Sequence, residues 1–465
     1  MVYLELIERS HFPWKLSKIF IRNLDSMKSL IPTLLLLISL STQANYFEFF
    51  GTHVTTRGIG NQANLNPHDP ANNYYAPAQM AFSDTFNFST SLSSTVTDFE
   101  PINGVVIKND SFQDPALDEE VGSVSTSYQK YYSASLHIAL PLAKELGTIA
   151  VSLSTPVGSL IETNSGNAFL PEYIMYRSRY RRALALFNYA KKLGDSWAFS
   201  LGAQLGFQAA ATADTNVSIQ SDYGSYGSMK SKVKPSLGLL FSTIYRPSDD
   251  FQLYFSYQQE MKNNLEANAF GKVSISTTTD YILDLNITSM IFYDPHIFRL
   301  GTGTRLGMLK LYGLVEYQMW GNYKTPLMRV AKRGGGIQPS SDYEVLKVKD
   351  IFVPKVGMGI NVTENIELDL GLAYKPTPIE GDFSGSGNSL DADSTILAAG
   401  ALYKSKFFDF PLQLGGSLQY HMLKDQSVTK TPGLENGDPG NKIGAPGYKI
   451  GGSILVGSVG LTFNY

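Results

Sequence analysis

The chain has 465 residues, of which 17% are charged and 12% aromatic, with 41 glycines and no cysteine. That is too little charge and too much aromatic surface for a run of soluble domains, in which about a quarter of residues are charged. A net charge of −3 gives no reason to expect a nucleic-acid partner. The lack of cysteine excludes disulfides, thiolate metal sites and a Cys nucleophile.

In chain order, the first feature is an apolar run from Leu30 to Leu40. It follows Lys28 and ends in Ser41-Thr42-Gln43-Ala44. A positive start, a short apolar stretch and small residues at Thr42 and Ala44 make a secretory leader, cleaved after Ala44. Met27 is the natural start, and residues 1–26 read as an upstream extension. The run is too short to cross a bilayer as a helix, which takes ~20 residues. No later stretch reaches that length, so the mature chain is expected to have no transmembrane helix.

Residues 45–81 show neither helical nor strand periodicity. They combine Gly51, Gly58, Gly60, Pro67, Pro70 and Pro77 with many asparagines, yet carry Tyr46, Phe47, Phe49, Phe50, Tyr74 and Tyr75. That is too aromatic for a solvated tail. The expectation is a hatch, a plug packed inside whatever the rest of the chain builds.

From residue 82 onward the chain alternates. Trp197, Phe199, Leu201, Leu205 and Phe207 share one parity, against Ser200, Gly202, Gln204 and Gly206. Ile366, Leu368, Leu370, Leu372 and Tyr374 face the opposite way from Glu367, Asp369 and Gly371. Period two means one apolar and one polar face. The segments are long, and aromatics cap the apolar faces at Trp197, Phe251, Tyr257, Phe410 and Tyr420, as in the girdles of membrane barrels. Short turns (Lys144-Glu145, Gly194-Asp195, Gly307-Met308, Ser405-Lys406) alternate with long loops near 100–121, 215–229, 264–280, 324–345, 377–391 and 425–446. The reading is an all-β fold: a transmembrane antiparallel β-barrel of about fourteen strands spanning 82–465. The strands are placed at 82–99, 122–141, 147–161, 172–190, 196–214, 230–247, 250–264, 281–307, 309–323, 346–362, 365–376, 392–404, 409–424 and 448–465. The stretch 264–307 leaves room for one more pair. Val459, Leu461, Phe463 and Tyr465 put an aromatic at the end of the last strand. Barrel closure would pair that strand with the first, and the barrel-assembly machinery reads such an ending.

Within this frame a few constellations carry chemistry. Arg177, Arg179 and Arg181 share one face of a predicted strand. An Arg facing lipid at midplane costs ~2–4 kcal/mol, so all three are expected in the lumen. There they either bind a substrate carboxylate or pair with Glu48, Asp69, Glu316, Glu367 or Asp369. Phe47, Phe49 and Phe50 either line an apolar pocket or only pack the plug. The six histidines do not cluster, so no metal site is expected. Gly334-Gly335-Gly336, flanked by Arg329, Lys332 and Arg333, lacks the Lys-Ser/Thr of a phosphate loop. It reads as a basic outer loop in reach of lipopolysaccharide. Asp114, Asp118, Glu119 and Glu120 read as a solvated acidic loop. No catalytic spacing stands out, so the protein is not expected to be an enzyme or to need a cofactor.

Several local patterns, taken in order, resemble the long-chain fatty-acid outer-membrane transporter family, the FadL/TodX or OMPP1 type. They are Arg57-Gly58-Ile59-Gly60, Asp69-Pro70-Ala71 and Tyr74-Tyr75-Ala76-Pro77-Ala78 in the hatch. Further on come Val315-Glu316-Tyr317-Gln318-Met319-Trp320, Leu372-Ala373-Tyr374-Lys375-Pro376-Thr377-Pro378, and Asn388-Ser389-Leu390-Asp391-Ala392-Asp393. Ala76 stands where the family has Asn, and Ser394-Thr395 where it has a basic pair. The resemblance implies a fourteen-stranded barrel plugged by its N-terminal hatch, with Gly58, Gly60, Tyr75 and Pro77 as gating residues. It implies passive uptake of a fatty acid or hydrocarbon, leaving sideways or toward the periplasm, by a monomer in contact with outer-membrane lipid. The rival readings are a general porin, and an adhesin or enzyme that uses the barrel as scaffold.

Overall fold

The computed structural model describes residues 46–108, 119–124, 130–142, 146–157, 172–177, 183–218, 226–276, 279–324, 329–334, 346–381, 389–407, 410–429 and 447–465. The expected leader, Asp114 and Asp118 of the acidic loop, and Arg179 and Arg181 lie outside the described residues.

Fourteen strands close into one barrel. They are β1 (Asn87–Phe99), β2 (Tyr131–Pro141), β3 (Thr148–Pro156), β4 (Leu184–Leu193), β5 (Trp197–Ser218) and β6 (Tyr226–Ser248). β7 runs as Phe251–Gln258 and then Met261–Ser276; β8 as Thr279–Asp294 and then His296–Leu306. The rest are β9 (Leu309–Met319), β10 (Ile351–Asn361), β11 (Ile366–Lys375), β12 (Ser394–Phe407), β13 (Phe410–Thr429) and β14 (Gly447–Asn464). Each pairs antiparallel with its chain neighbour. β1 closes on β14 in a register that sets Asn87 against Asn464, Leu92 against Val459 and Phe99 against Gly452. Among the described strands no barrel edge is left unpaired, which removes the aggregation hazard of an open sheet.

The alternation decides which way each face looks. Leu201, Leu237, Leu239, Leu300, Phe352 and Val459 are all more than half exposed. Ser200, Gln204, Ser242, Gln252, Glu367 and Gln419, on the opposite parity, are buried. An inside-out pattern of this kind suits a hydrocarbon solvent outside and a filled polar lumen within.

Three expectations need correction. The stretch 264–307 holds no extra pair; it is one hairpin of two long, broken strands. β8 breaks at Pro295, which has no N–H to give the ladder, and the extensions Met261–Ser276 and Thr279–Asp294 pair with each other where a loop was expected at 264–280. Secondly, β4 starts at Leu184, not 172. Glu172–Tyr173 instead pairs in parallel with Ser389–Leu390, and Ile174–Arg177 is a turn of helix. Tyr173, Ile174, Met175 and Tyr176 are all buried, and burial of four consecutive residues is incompatible with period two. Thirdly, the loop regions near 100–121, 215–229, 324–345 and 425–446 contain strand as well. Ile102–Lys108 pairs with Glu119–Val124, Arg329–Gly334 pairs with β8, and β5, β6 and β13 run on into their loops.

The hatch occupies the lumen, and every residue from Tyr46 to Leu65 is buried. It is built of short pieces: α1 (Tyr46–Phe50), α2 (Val54–Arg57) and two 3-10 turns at Pro70–Tyr74 and Pro77–Phe82. A capping box between His53 and Thr56 starts α2. Asp69 caps the first 3-10 turn through Ala71 N, and Pro70 opens it. Pro77 opens the second, whose cap position is Ala76 and makes no side-chain bond. Irregular backbone leaves carbonyls without ladder partners, and at membrane depth each needs one. The wall supplies them: Ser135 Oγ donates to Thr52 O (2.8 Å), Gln419 Nε2 to Arg57 O (3.1 Å), Gln252 Nε2 to Asn64 O (3.1 Å), Arg246 to Leu65 O (2.8 Å) and Ser256 Oγ to Tyr75 O (2.7 Å).

Candidate functional site

The hatch divides the lumen. Toward the long loops, Tyr46, Phe49 and Phe50 of α1 join Phe99, Tyr131, Tyr173, Met175, Tyr176 and Trp320 in one buried apolar cluster. Toward the short turns, Phe47 packs with Tyr74, Tyr75 and Met80 in a second. Consecutive helical residues point to different sides, which is how one short helix serves both. Phe47 lies edge-on to Tyr74 and stacks on His137. Phe50 sits between Tyr46 and His421. Phe49 alone of the three lines a small cavity of about 10 Å³, with Met175, Tyr176, Trp320, Lys375, Pro376, Pro378, Asp391 and Ala392.

Two segments noted in the sequence interlock at this cavity. Asp393 accepts from Thr377 N (2.9 Å) and from the Tyr374 hydroxyl (2.9 Å), and Asp391 Oδ2 accepts from Thr377 Oγ1 (2.7 Å). The Asp-x-Asp stretch therefore holds the Lys-Pro-Thr-Pro strand ending in place. Lys375 Nζ lies 3.9 Å over the Phe49 ring and 3.3 Å from Glu48 Oε1. Burial pushes the Asp391 carboxyl up to about 6, against the pull of Thr377 and Lys375.

A buried charge cluster clasps the hatch from the side. Glu316 Oε1 of β9 stands 3.0 Å from Arg299 Nε of β8 and 3.0 Å from Lys355 Nζ of β10. Arg299 lies over the Tyr74 ring at 4.5 Å, and Lys355 donates to Asn61 O. All three are nearly inaccessible. Glu367 is similarly held by Lys310 (2.5 Å) and Lys404 (3.1 Å). The expected lumenal acids Glu48, Asp69, Glu316, Glu367 and Asp369 are all buried, but cations on other strands engage Glu48, Glu316 and Glu367. Sequence reasoning missed Arg299, Lys355, Lys310 and Lys375. The parity argument used for the arginine trio would have found Arg299 and Lys355, which sit at polar positions of alternating strands. Of the trio itself, Arg177 ends the helical turn Ile174–Arg177 and so shares no strand face.

Arg57 is the hatch's own cation. It donates from Nε to Phe50 O (2.6 Å), from NH2 to Gly51 O (2.9 Å), and from NH1 to the hydroxyls of Ser458 (2.7 Å) and Ser93. Its guanidinium also faces the Tyr46 ring at 5.3 Å. Burial lowers its pKa and that of His53. The glycines of the hatch touch wall backbone: a Cβ on Gly58 would stand 2.9 Å from Asp369 Cβ and 3.0 Å from Gly400 Cα. Gly60 adopts a φ of +86° and rests on Gly371 and Val356. Tyr75 is buried beneath Lys355, and burial pushes its phenol up.

A vestibule adjoins the plug, and a groove marks the wall outside it. A polar vestibule of about 430 Å³ at the short-turn end is lined by hatch residues such as His68 and Asp69 and by Arg246, Lys310, Glu367 and Lys404. On the outer wall, a groove of about 870 Å³ crosses β12, β13, β14, β1 and β2. Small residues (Ala399, Ala401, Gly416, Gly457, Ser94) form its floor between Leu92, Leu418, Val459 and Tyr132. Behind that floor are Ser93 and Ser458, the partners of Arg57.

No protein-family model matches the chain. Among solved structures, a Pseudomonas aeruginosa FadL homologue superposes with a TM-score of 0.57 at 14% identity, over 89% of this chain and 98% of that one. The toluene transporter TodX of P. putida gives 0.52 at 13%, over 90% and 99%. The chain has the FadL/TodX fold. Among curated proteins, alkane uptake protein A of Marinobacter nauticus is 23% identical over 156 residues, 33% of this chain and 34% of that protein. The match thus spans about a third of that relative's length. The FadL/TodX fold accounts for both the closed fourteen-stranded wall and the hatch packed within it.

Proposed function

We propose that the protein carries hydrophobic small molecules, such as hydrocarbons and long-chain fatty acids, passively across the bacterial outer membrane. The observation that carries this is the position of α1, whose Phe49 joins a buried aromatic cluster and lines a small, mostly apolar cavity above a plug that fills the lumen. An open, charge-lined channel would serve a general porin, whereas a filled lumen with an aromatic cluster facing the loops serves capture of apolar molecules. Phe49 contacts the cargo, Phe50 packs behind it, and Gly58, Gly60, Tyr75 and Pro77 hold the hatch that must shift to release it. The apolar outer groove behind Arg57, rather than the polar vestibule, suits a sideways exit into the hydrocarbon. The protein acts as a monomer surrounded by outer-membrane lipid and lipopolysaccharide, and β14 is the strand that the assembly machinery reads.

The test is uptake into liposomes by the purified full-length protein, with an aromatic hydrocarbon, a long-chain fatty acid and a small sugar as cargo. Faster entry of a hydrophobic cargo than in protein-free liposomes, with no gain for the sugar, is expected. Comparable sugar entry would make the protein a porin. Phe49→Ala should slow hydrophobic uptake while the barrel keeps its heat-modifiable mobility on a gel.

A further inference from the structure

The cavity against Phe49 has two charged residues, and they are not equivalent. Lys375 is engaged, with its ammonium between Glu48 Oε1 and the Phe49 ring. Asp391 is 4% exposed: Oδ2 accepts from Thr377 Oγ1 and the Ala392 N–H also favours the carboxylate, but among the described residues Oδ1 has no hydrogen-bond partner by distance and angle. Asp393, two residues on, has both oxygens bonded. A buried acceptor without a donor is costly, and this one belongs to a side chain that lines the cavity. The rest of the lining (Met175, Tyr176, Trp320 and two prolines) is large and mostly apolar. A carboxylate entering here would meet Asp391 as a like charge in a weakly screening interior, while the Lys375 ammonium beside it is already neutralised by Glu48. An alcohol or phenol would instead bring the missing donor.

We propose that this cavity takes hydrophobic molecules that end in a hydroxyl, which donates to Asp391 Oδ1, and disfavours the carboxylate of the same length. The assignment rests on the transport reading above and narrows it. Asp391 sets the specificity, while Phe49, Tyr176 and Trp320 hold the apolar body. The hydroxyl keeps its oxygen and its proton throughout, so the step is binding alone. Opening the cavity beyond its present 10 Å³, room for about one water, requires these side chains to part around the ligand.

The experiment uses the full chain in liposomes and in detergent at pH 7.5, with 1-dodecanol, dodecane and dodecanoate. Binding is read from tryptophan fluorescence in a W14F/W197F background, which leaves Trp320 as the reporter, and uptake from entry into the liposomes. The alcohol is expected to bind roughly tenfold tighter than either relative. Asp391→Leu should erase its advantage over the alkane. Asp391→Asn, which keeps an acceptor and loses the charge, should retain that advantage and shrink the penalty on the carboxylate, so the assignment stays testable if the leucine variant fails to fold. Dodecanoate binding as tightly as dodecanol overturns the assignment, as does an alcohol-to-alkane ratio that Asp391→Leu leaves unchanged; either result leaves transport intact. Failure of all three to enter overturns the transport reading and this one with it.

Discussion

A Cβ on Gly371 of β11 would overlap the peptide between Ile59 and Gly60, so hatch and wall meet backbone to backbone. The same holds at Gly357 of β10, where a Cβ would run into Ile59 O. Gly400, Gly415 and Gly460 continue the seat on β12, β13 and β14, under Gly58, Val54 and His53. Gly371→Ala should therefore lift the hatch, lowering stability by ~1–3 kcal/mol and raising ionic conductance in planar bilayers. Gly313→Ala is the control. Its Cβ meets only Thr302 Cγ2, at 3.7 Å, and its effect should stay within ~0.5 kcal/mol. Equal effects from the two variants would refute the backbone seat.

Glu316 is the shared counter-ion of Arg299 and Lys355. Glu316→Gln leaves two cations buried without it and should cost about 3–5 kcal/mol in urea unfolding. By contrast, Asp250 pairs with Arg305 at 3.2 Å where both side chains are well exposed, and Asp250→Asn should cost less than ~1 kcal/mol. A small loss for Glu316→Gln would mean that the cluster does not hold the hatch.

Arg57 uses all three nitrogens. A lysine carries one compact ammonium and cannot span the same carbonyls and hydroxyls. Arg57→Lys should thus lose ~1.5–3 kcal/mol and behave closer to Arg57→Ala than to wild type. Thermal midpoints of the three proteins decide this.

His53 is buried, and burial, the largest effect on it, lowers its pKa despite the opposing charge of Asp69. His68 is lowered in the same way. The unfolded chain takes up these protons near pH 6.5 while the folded hatch resists them, so stability is full above that pH and declines as pH falls through it. The decline should reach at most about 1.4 kcal/mol per pH unit for each histidine. His53→Gln should flatten the slope between pH 7.5 and 5; an unchanged slope would remove His53 from the account.

The barrel was legible because a strand between lipid and lumen must alternate. The same rule explains the failures. Beyond the bilayer a strand needs no apolar face, so Asn263, Asn264, Asn268 and Gly271 look like loop yet lie in the long arm of β7. Tyr176 to Arg181 alternates by composition alone, and the run Tyr173–Tyr176, apolar at every position, was the better signal. At the site, Phe49 and the Asp-x-Asp stretch could be marked in advance. The approach of Lys375 to Glu48, 327 positions apart, depends on where the hatch settles against β11. No local pattern encodes that.

Arg57 bonds to Ser93 on the first strand and to Ser458 on the last, 401 positions away. Both partners face the plug together only where the first and last strands are paired, so its anchorage is complete only when the seam is closed. One guanidinium ties zipping of the seam to correct placement of the plug, so that a cylinder shut around an empty bore would forfeit bonds that the properly filled one keeps.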